Sequence, residues 1–313
     1  MKIVKLATWA ILSWGSITLQ AQQTGLVTQY DKVSSVLNPA YNGVNRAVQI
    51  DALTKSQWAN FPGSPKINVV GAQMPLNRDF ATGLSFQSMK IGKFLNANPI
   101  SNFSVAADLA YHKKLAKNLN ISTGLRLGMF SYNAQLGLLQ ANNPNDGAIA
   151  DNNYNIKTPV IGGGLLLYGK QYFLGVSMPQ YAIVGKEQFN MYNLNYVASP
   201  MFMYTAGYLK KWNKDWETKI TVQARQFKGL PMHLDANIYA YYKNQFMLGY
   251  GRRNNSSDVL QVQFKFNEFV WITYGYEHGY IYDSQTPFTS HEFGVSYKFY
   301  QPSKQMFIEP RNY

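Results

Sequence analysis

The pattern that most constrains this chain is an alternation of apolar and polar residues with period 2 that recurs almost from end to end. In 258–266, Leu260, Val262, Phe264 and Phe266 alternate with Gln261, Gln263 and Lys265. In 216–225, Trp216, Thr218, Ile220, Val222 and Ala224 share one side, and Glu217, Lys219, Thr221, Gln223 and Arg225 share the other. Met232, Leu234, Ala236, Ile238 and Ala240 likewise oppose His233, Asp235, Asn237, Tyr239 and Tyr241. Such a period places successive side chains on opposite faces of a sheet, in two different environments. On this basis about 14 strands are expected, near 46–54, 66–74, 82–90, 101–114, 119–133, 158–168, 171–179, 200–211, 216–227, 231–242, 245–253, 258–266, 269–282 and 290–300.

The connections between them follow a parity. From the fourth strand onward the shortest ones (LAKN, GK, NKD, KN, NE) all fall in even-numbered gaps. The two longest, near 134–157 and 180–199, fall in odd-numbered gaps. Outer-membrane barrels pair short turns at one rim with longer loops at the other. A soluble β-sandwich has no reason to do so. The expected fold is therefore all-β, a transmembrane antiparallel β-barrel over residues 46–300 with both ends at the short-turn rim.

Composition agrees. The chain has 23 tyrosines and 15% aromatic residues but only 14% charged ones, which suits aromatic girdles and an apolar outer band. It has no cysteine, so disulfide and thiolate chemistry are excluded. The formal charge of +13 is spread through strands and turns without a basic run, which argues against nucleic acid and for a basic lumen or contact with acidic headgroups or partners.

Residues 1–21 read as a secretory signal, with Lys2 and Lys5 ahead of an apolar core and a cleavage site after Ala21. Residues 22–45 are expected as a periplasmic entry segment, and 301–313, with Pro302 and Pro310, as a periplasmic tail. Glu292, Gly294, Tyr297 and Phe299 resemble the closing signal that outer-membrane barrels carry in their last strand. Phe293, Val295, Tyr297 and Phe299 would face lipid, and Glu292, Ser296 and Lys298 the interior.

The search for chemistry finds little. None of the four histidines (His112, His233, His278, His291) sits at metal-ligand spacing. Glu277-His278 and His291-Glu292 fall at corresponding ends of neighbouring strands, where a rim hydrogen-bond network is the ordinary expectation and a metal or acid–base cluster the sharper one. Gly162-Gly163-Gly164 lacks the Lys-Ser/Thr of a phosphate loop and continues as a strand. No catalytic residue, cofactor or metal is expected.

Asn38-Pro39-Ala40-Tyr41-Asn42-Gly43 resembles the "NPAYAG" entrance of the PorP/SprF family, membrane proteins of the Bacteroidetes type IX secretion and gliding system. Gln57-Trp58, the Phe61–Pro65 turn, Met74-Pro75-Leu76 and Ser290-His291-Glu292 continue the likeness. Lys55 stands where an arginine is common, and Asn42 replaces an alanine. The resemblance implies a non-enzymatic outer-membrane accessory component that binds or anchors an exported surface protein, typically a large adhesin, through its type IX C-terminal domain. It also implies contact with the secretion or gliding machinery. Asn38, Pro39, Ala40, Tyr41, Gly43, Gln57, Trp58 and Pro65 are its motif residues. They are candidates for partner contact, with a turn sealing the periplasmic mouth as the plainer role for the first group. The long segments, including Asn142, Asn143, Asn145, Asp146, Asp151, Asn152 and Asn153, are where cargo contact is expected. The alternative function is a passive or selective diffusion channel, with Lys219, Arg225 and Lys265 pointing into the lumen.

Overall fold

The computed structural model describes residues 27–93, 98–135, 153–182, 200–227, 231–254, 257–280 and 287–299. Fourteen antiparallel strands close into a barrel in simple up-and-down order. They are β1 (Val48–Ser56), β2 (Lys66–Pro75), β3 (Phe80–Ile91), β4 (Ile100–Ala116), β5 (Leu119–Gln135), β6 (Asn153–Tyr168), β7 (Tyr172–Ala182), β8 (Met201–Lys211), β9 (Trp216–Phe227), β10 (His233–Tyr242), β11 (Phe246–Arg253), β12 (Ser257–Lys265), β13 (Val270–Tyr280) and β14 (Pro287–Phe299). Closure satisfies the backbone hydrogen bonds of every strand without an open edge, as a hydrocarbon environment demands.

The strand count and nearly all boundaries match those read from the alternation. The largest difference is β6, which begins at Asn153 and pairs Asn153 with Gln135. Its first residues are mostly polar on both faces and so read as loop in the sequence. The segments 136–152 and 183–199, the expected signal at 1–21 and the C-terminal residues 300–313 lie outside the described residues. So do Asn142, Asn143, Asn145, Asp146, Asp151 and Asn152.

The outer face is apolar: Leu127, Leu125, Leu248 and Leu84 are more than 60% exposed. Aromatic pairs crowd the short-turn rim, including Trp216–Tyr242 at 4.8 Å, Phe80–Tyr111 at 5.1 Å and Phe246–Phe264 at 5.3 Å between ring centres. Amphipathic rings of this kind suit a membrane–water boundary. β14 pairs with both β13 and β1. In it Phe293, Val295, Tyr297 and Phe299 are exposed, and Glu292, Ser296 and Lys298 are buried.

The interior is filled. Inward side chains such as Lys55, Asp108, Arg126, Lys219, Arg225, Asp235 and Glu292 are all less than 5% exposed. What covers them is the chain's own N-terminal segment. The stretch expected as a periplasmic entry, 22–45, is over its described part folded inside the ring. There it forms the short helix α1 (Ser34–Leu37) and a single 3-10 turn at Pro39–Tyr41. We call residues 27–47 the plug.

Candidate functional site: the plugged lumen

A segment this short and irregular cannot satisfy its own backbone, so burying it requires partners from the wall. The wall supplies them from β14, β2, β4, β5 and β7. The Glu292 carboxylate accepts from the amides of Thr28 and Gln29, the latter at 3.0 Å. Arg126 donates to the carbonyls of Val36 (2.5 Å) and Ser35 (3.0 Å). Ser177 donates to the carbonyl of Leu37 at 2.9 Å. The amide of Gly43 donates to Gln73 at 2.8 Å. His112 reaches the Asn42 carbonyl through Nε2 at 2.7 Å, and its Nδ1 meets the Tyr168 hydroxyl at 3.1 Å.

The Asn38–Gly43 motif lies at the centre of this contact. Asn38 caps the 3-10 turn through its Oδ1, which accepts from Ala40 at 2.9 Å. Its Nδ2 donates to the Leu165 carbonyl at 3.2 Å and, more weakly, to that of Val176 at 3.5 Å. Pro39 is tolerated because it opens the turn, where no intrahelical donor is needed. Ala40 is fully buried. The Tyr41 ring meets Phe173 edge-on at 6.0 Å, and its hydroxyl lies 3.3 Å from Thr205. Asn42 donates to Asp108 at 3.0 Å. Gly43 has φ of +79°, a conformation that glycine adopts without steric cost.

Two wall glycines make room for this approach. A Cβ on Gly124 would overlap the Pro39 carbonyl carbon and the Ala40 nitrogen, and one on Gly164 would overlap the Asn38 amide. Within the glycine run 162–164 it is thus Gly164 that serves close packing of wall on plug. Apolar contacts complete the seat. Val27, Tyr30, Val33 and Val36 pack on Leu53, Ile67, Val69 and Met89, while Ala40, Tyr41 and Val44 pack on Leu166 and Tyr168.

An Asn38→Leu variant keeps the size but loses all three hydrogen bonds, and leaves the Ala40 amide without the Oδ1 acceptor. Unmade buried hydrogen bonds typically cost about 1–3 kcal/mol. The midpoint of thermal unfolding in detergent should fall, with the barrel still formed.

A chain of buried charges runs along the wall beside the plug. Arg225 pairs with Asp235 at 2.5 Å, Arg253 with Asp235 at 3.2 Å and with Glu277 at 3.1 Å, and Lys55 with Glu277 at 2.8 Å and Glu292 at 3.2 Å. Lys55 therefore joins two carboxylates as a point charge. The inward Glu277 and Glu292 share Lys55, whereas His291 is exposed on the outer face beside Tyr274 at 2.7 Å. The sequence neighbours are thus split between faces, and no acid–base pair forms from His291 and Glu292. Among the described residues no group of three or more His, Asp or Glu stands where it could hold a metal.

In the plug, Asp31 pairs with Lys32 and Lys219, each at 3.3 Å. Burial alone would push the Asp31 carboxyl up, but the two ammonium groups outweigh it and hold the group below its ordinary value of 3.8. A depressed carboxylate contributes stability above its unfolded pKa and loses it as pH falls through the folded one. Proteolytic release of the plug should therefore increase on acidification below about 3.8, and Asp31→Asn should remove most of that dependence.

The remaining motif residues lie at the opposite rim. The amide of Gln57 donates to the Pro65 carbonyl at 2.9 Å, and that of Trp58 to the Ser290 hydroxyl at 3.1 Å. The Trp58 ring is 37% exposed and meets Phe288 edge-on at 5.9 Å.

The family described as type IX secretion system membrane protein PorP/SprF matches residues 19–297. The chain belongs to the PorP/SprF family. A comparison with curated protein sequences finds no match. Solved structures similar to this PorP/SprF chain include the Pseudomonas putida toluene transporter TodX, at TM-score 0.51 and 11% identity over 86% of this chain and 93% of that one. Another is the Ralstonia pickettii toluene transporter TbuX, at TM-score 0.50 and 11% identity over 85% and 92%. At such identity the likeness concerns the barrel fold alone. The Asn38–Gly43 motif that resembles the PorP/SprF entrance lies inside the ring, against β4 to β8. Sequence reading did not locate the plug, although the inward apolar residues Ile67, Val69 and Leu166 are a signal that something packs inside.

Proposed function

We propose that this PorP/SprF barrel is a sealed docking ring of type IX secretion, which binds or anchors an exported surface protein, an adhesin of the type IX C-terminal-domain class, and links it to the secretion or gliding machinery. The observation that carries this reading is the plug. A lumen whose wall binds the backbone of its own N-terminal segment serves a fixed scaffold better than an open pore. The short-turn rim, where the plug enters, would face the periplasm, and the long connections the cell exterior.

Within this reading the Asn38–Gly43 motif acts by holding the plug, since Asn38, Tyr41, Asn42 and Gly43 each make a polar contact with the wall. Partner contact falls to the opposite rim, to Trp58, Phe61 and the long connections near 134–157 and 180–199. The 57–65 connection is braced against β14 by Asn60, which donates to the Pro287 carbonyl at 2.9 Å, so it presents its aromatics from a fixed base.

The test is gentle purification from the native outer membrane, with mass spectrometry of stoichiometric partners. A large secreted protein should be recovered with the barrel, and a Trp58→Ala/Phe61→Ala variant should retain less of it. Recovery of the barrel alone, from cells whose surface proteins are still exported after its deletion, would sink the proposal.

One observation favours the channel as a second reading. A small cavity of about 20 Å³ lies between plug and wall, lined by Leu37, Tyr41, Phe173 and Met203 together with polar residues such as Asn38, Lys219 and Gln223. It marks where the packing of plug on wall is least complete and a path could open, and the similar barrels named above are toluene transporters. Steady solute flux through the wild-type barrel in liposomes would support this reading against the first.

A further inference from the structure

A second cleft, of about 20 Å³ and open to solvent, lies beside the plug near the short-turn rim. It is lined by Asp31, Lys32, Gln49, Lys219, Gln263, Trp271, Ser296 and Lys298. Most of its wall residues stand close to strand ends at that rim: Gln49 in β1, Trp271 in β13, and Ser296 and Lys298 in β14. Lys265, the last residue of β12, flanks it.

Three features single it out. The Lys265 and Lys298 ammonium groups both lie over the Trp271 ring, 5.2 and 5.6 Å from its centre. Two like charges are thus held near one ring, and Lys298 is 7% exposed with no ion pair among the described residues. Secondly, the Trp271 indole N–H is buried, with the residue 6% exposed, and finds no acceptor among the described residues. A buried donor without a partner is costly, and each one in a native structure calls for an explanation. Thirdly, the local charge is unbalanced. Lys32, Lys219, Lys265 and Lys298 outnumber the carboxylates of Asp31 and Asp51, and Asp31 is already engaged by Lys32 and Lys219.

Together these groups offer donors to an acceptor-only ligand with negative charge. We propose that this cleft is a binding site for a small oxyanion of the phosphate class, held by Lys298, Lys265 and the Trp271 N–H. Lysine serves phosphate as a mobile point charge, and the absence of an arginine fork from the lining argues against a site shaped for bidentate carboxylate. An anion here neutralises the paired ammonium groups and satisfies the orphan donor. It lies against Lys32 of the plug, so its binding should also hold the plug in place. This inference is independent of the docking and channel readings.

The experiment uses the full-length barrel in a neutral detergent and inorganic phosphate as the probe, titrated against chloride at equal ionic strength. Phosphate should raise the thermal midpoint and slow plug proteolysis where chloride does not. Trp271→Phe, which keeps the ring and the charges, should weaken phosphate roughly five- to tenfold, the worth of one hydrogen bond. Lys265→Gln and Lys298→Gln should each weaken it about tenfold or more. Lys66→Gln, at an exposed position on the far rim, should not. If Lys298→Gln fails to fold, Lys265→Gln at the cleft edge and Trp271→Phe still decide. Glycerol 3-phosphate provides a second arm. Equal stabilisation by it would mean that the site takes the terminal phosphate of a larger molecule, and response to phosphate alone would assign the free ion. Equal response to phosphate and chloride, or a phosphate response unchanged in both Lys265→Gln and Trp271→Phe, would overturn the proposal.

Discussion

A Gly124→Val variant should assemble as a barrel and lose its plug. Position 124 lies within β5 and pairs with Ala110 and Gly164. Valine suits an extended, half-buried strand, so the wall itself has no objection to it. The plug does. The new Cβ would coincide with the Pro39 carbonyl carbon and the Ala40 nitrogen, which are backbone atoms that cannot turn aside as a flexible side chain would. Overpacking of this kind usually costs about 1–3 kcal/mol where neighbours can shift. Here the plug must leave its seat, and with it go the Asn38 and Tyr41 contacts. Planar-bilayer recordings should then show a conductance well above wild type, and a protease should cut the 27–47 segment readily. Gly163→Val is the matched control. A Cβ there meets only the Gly124 carbonyl oxygen, at an ordinary 3.5 Å, so the lumen should stay closed. A closed, protease-resistant Gly124→Val barrel would mean that Pro39 and Ala40 do not sit against β5.

The wall of this molecule was legible in its sequence because lipid and lumen impose opposite chemistries on alternate residues. Lys219, Arg225, Gln223 and Glu292 announce an inner face simply by standing between Ile220, Val222 and Phe293. Connection parity added an even strand count and a distinction between two rims. The plug left a fainter trace. Its residues alternate with no regular period, and the partners that satisfy its backbone come from sites as distant in sequence as Gln73, Arg126, Ser177 and Glu292. No local rule joins Gly43 to Gln73 or Thr28 to Glu292; only ring closure does. The turn chemistry of Asn38–Gly43 was readable, since asparagine, proline and glycine in that order specify a compact turn. Its location was not, because the same turn could sit in water or in a polar core. The clue that discriminates is in the wall. In β2, Ile67 and Val69 are apolar on the face that should be polar, next to an outward Val70. A strand apolar on both faces in an otherwise two-sided barrel signals a covered interior.

Replacing Arg126 should release the plug by a different route, through charge. The guanidinium binds Asp108 in a two-point contact, with Nε and Nη2 each 2.7 Å from a carboxylate oxygen, while its remaining donors hold the Ser35 and Val36 carbonyls. Both side chains of this pair are 2% exposed. Arg126→Met keeps the apolar bulk but leaves the Asp108 carboxylate enclosed without its guanidinium partner, with Asn42 still donating to it. Breaking one side of a buried pair typically costs about 3–5 kcal/mol, more than loss of a neutral contact. The barrel need not unfold to relieve that cost. Withdrawing the plug admits water to Asp108 and frees the two carbonyls at once, so the opening of the lumen should exceed any fall in barrel stability. The second variant decides the cause. Arg126→Met/Asp108→Asn removes the stranded charge but still lacks the donors to Ser35 and Val36. Its plug should be cut more slowly than in Arg126→Met alone and faster than in wild type. Equal rates in the single and double variants would assign the whole effect to the lost carbonyl contacts. A plug unmoved by either would show that its hold lies elsewhere, in Glu292 and the Asn38 turn.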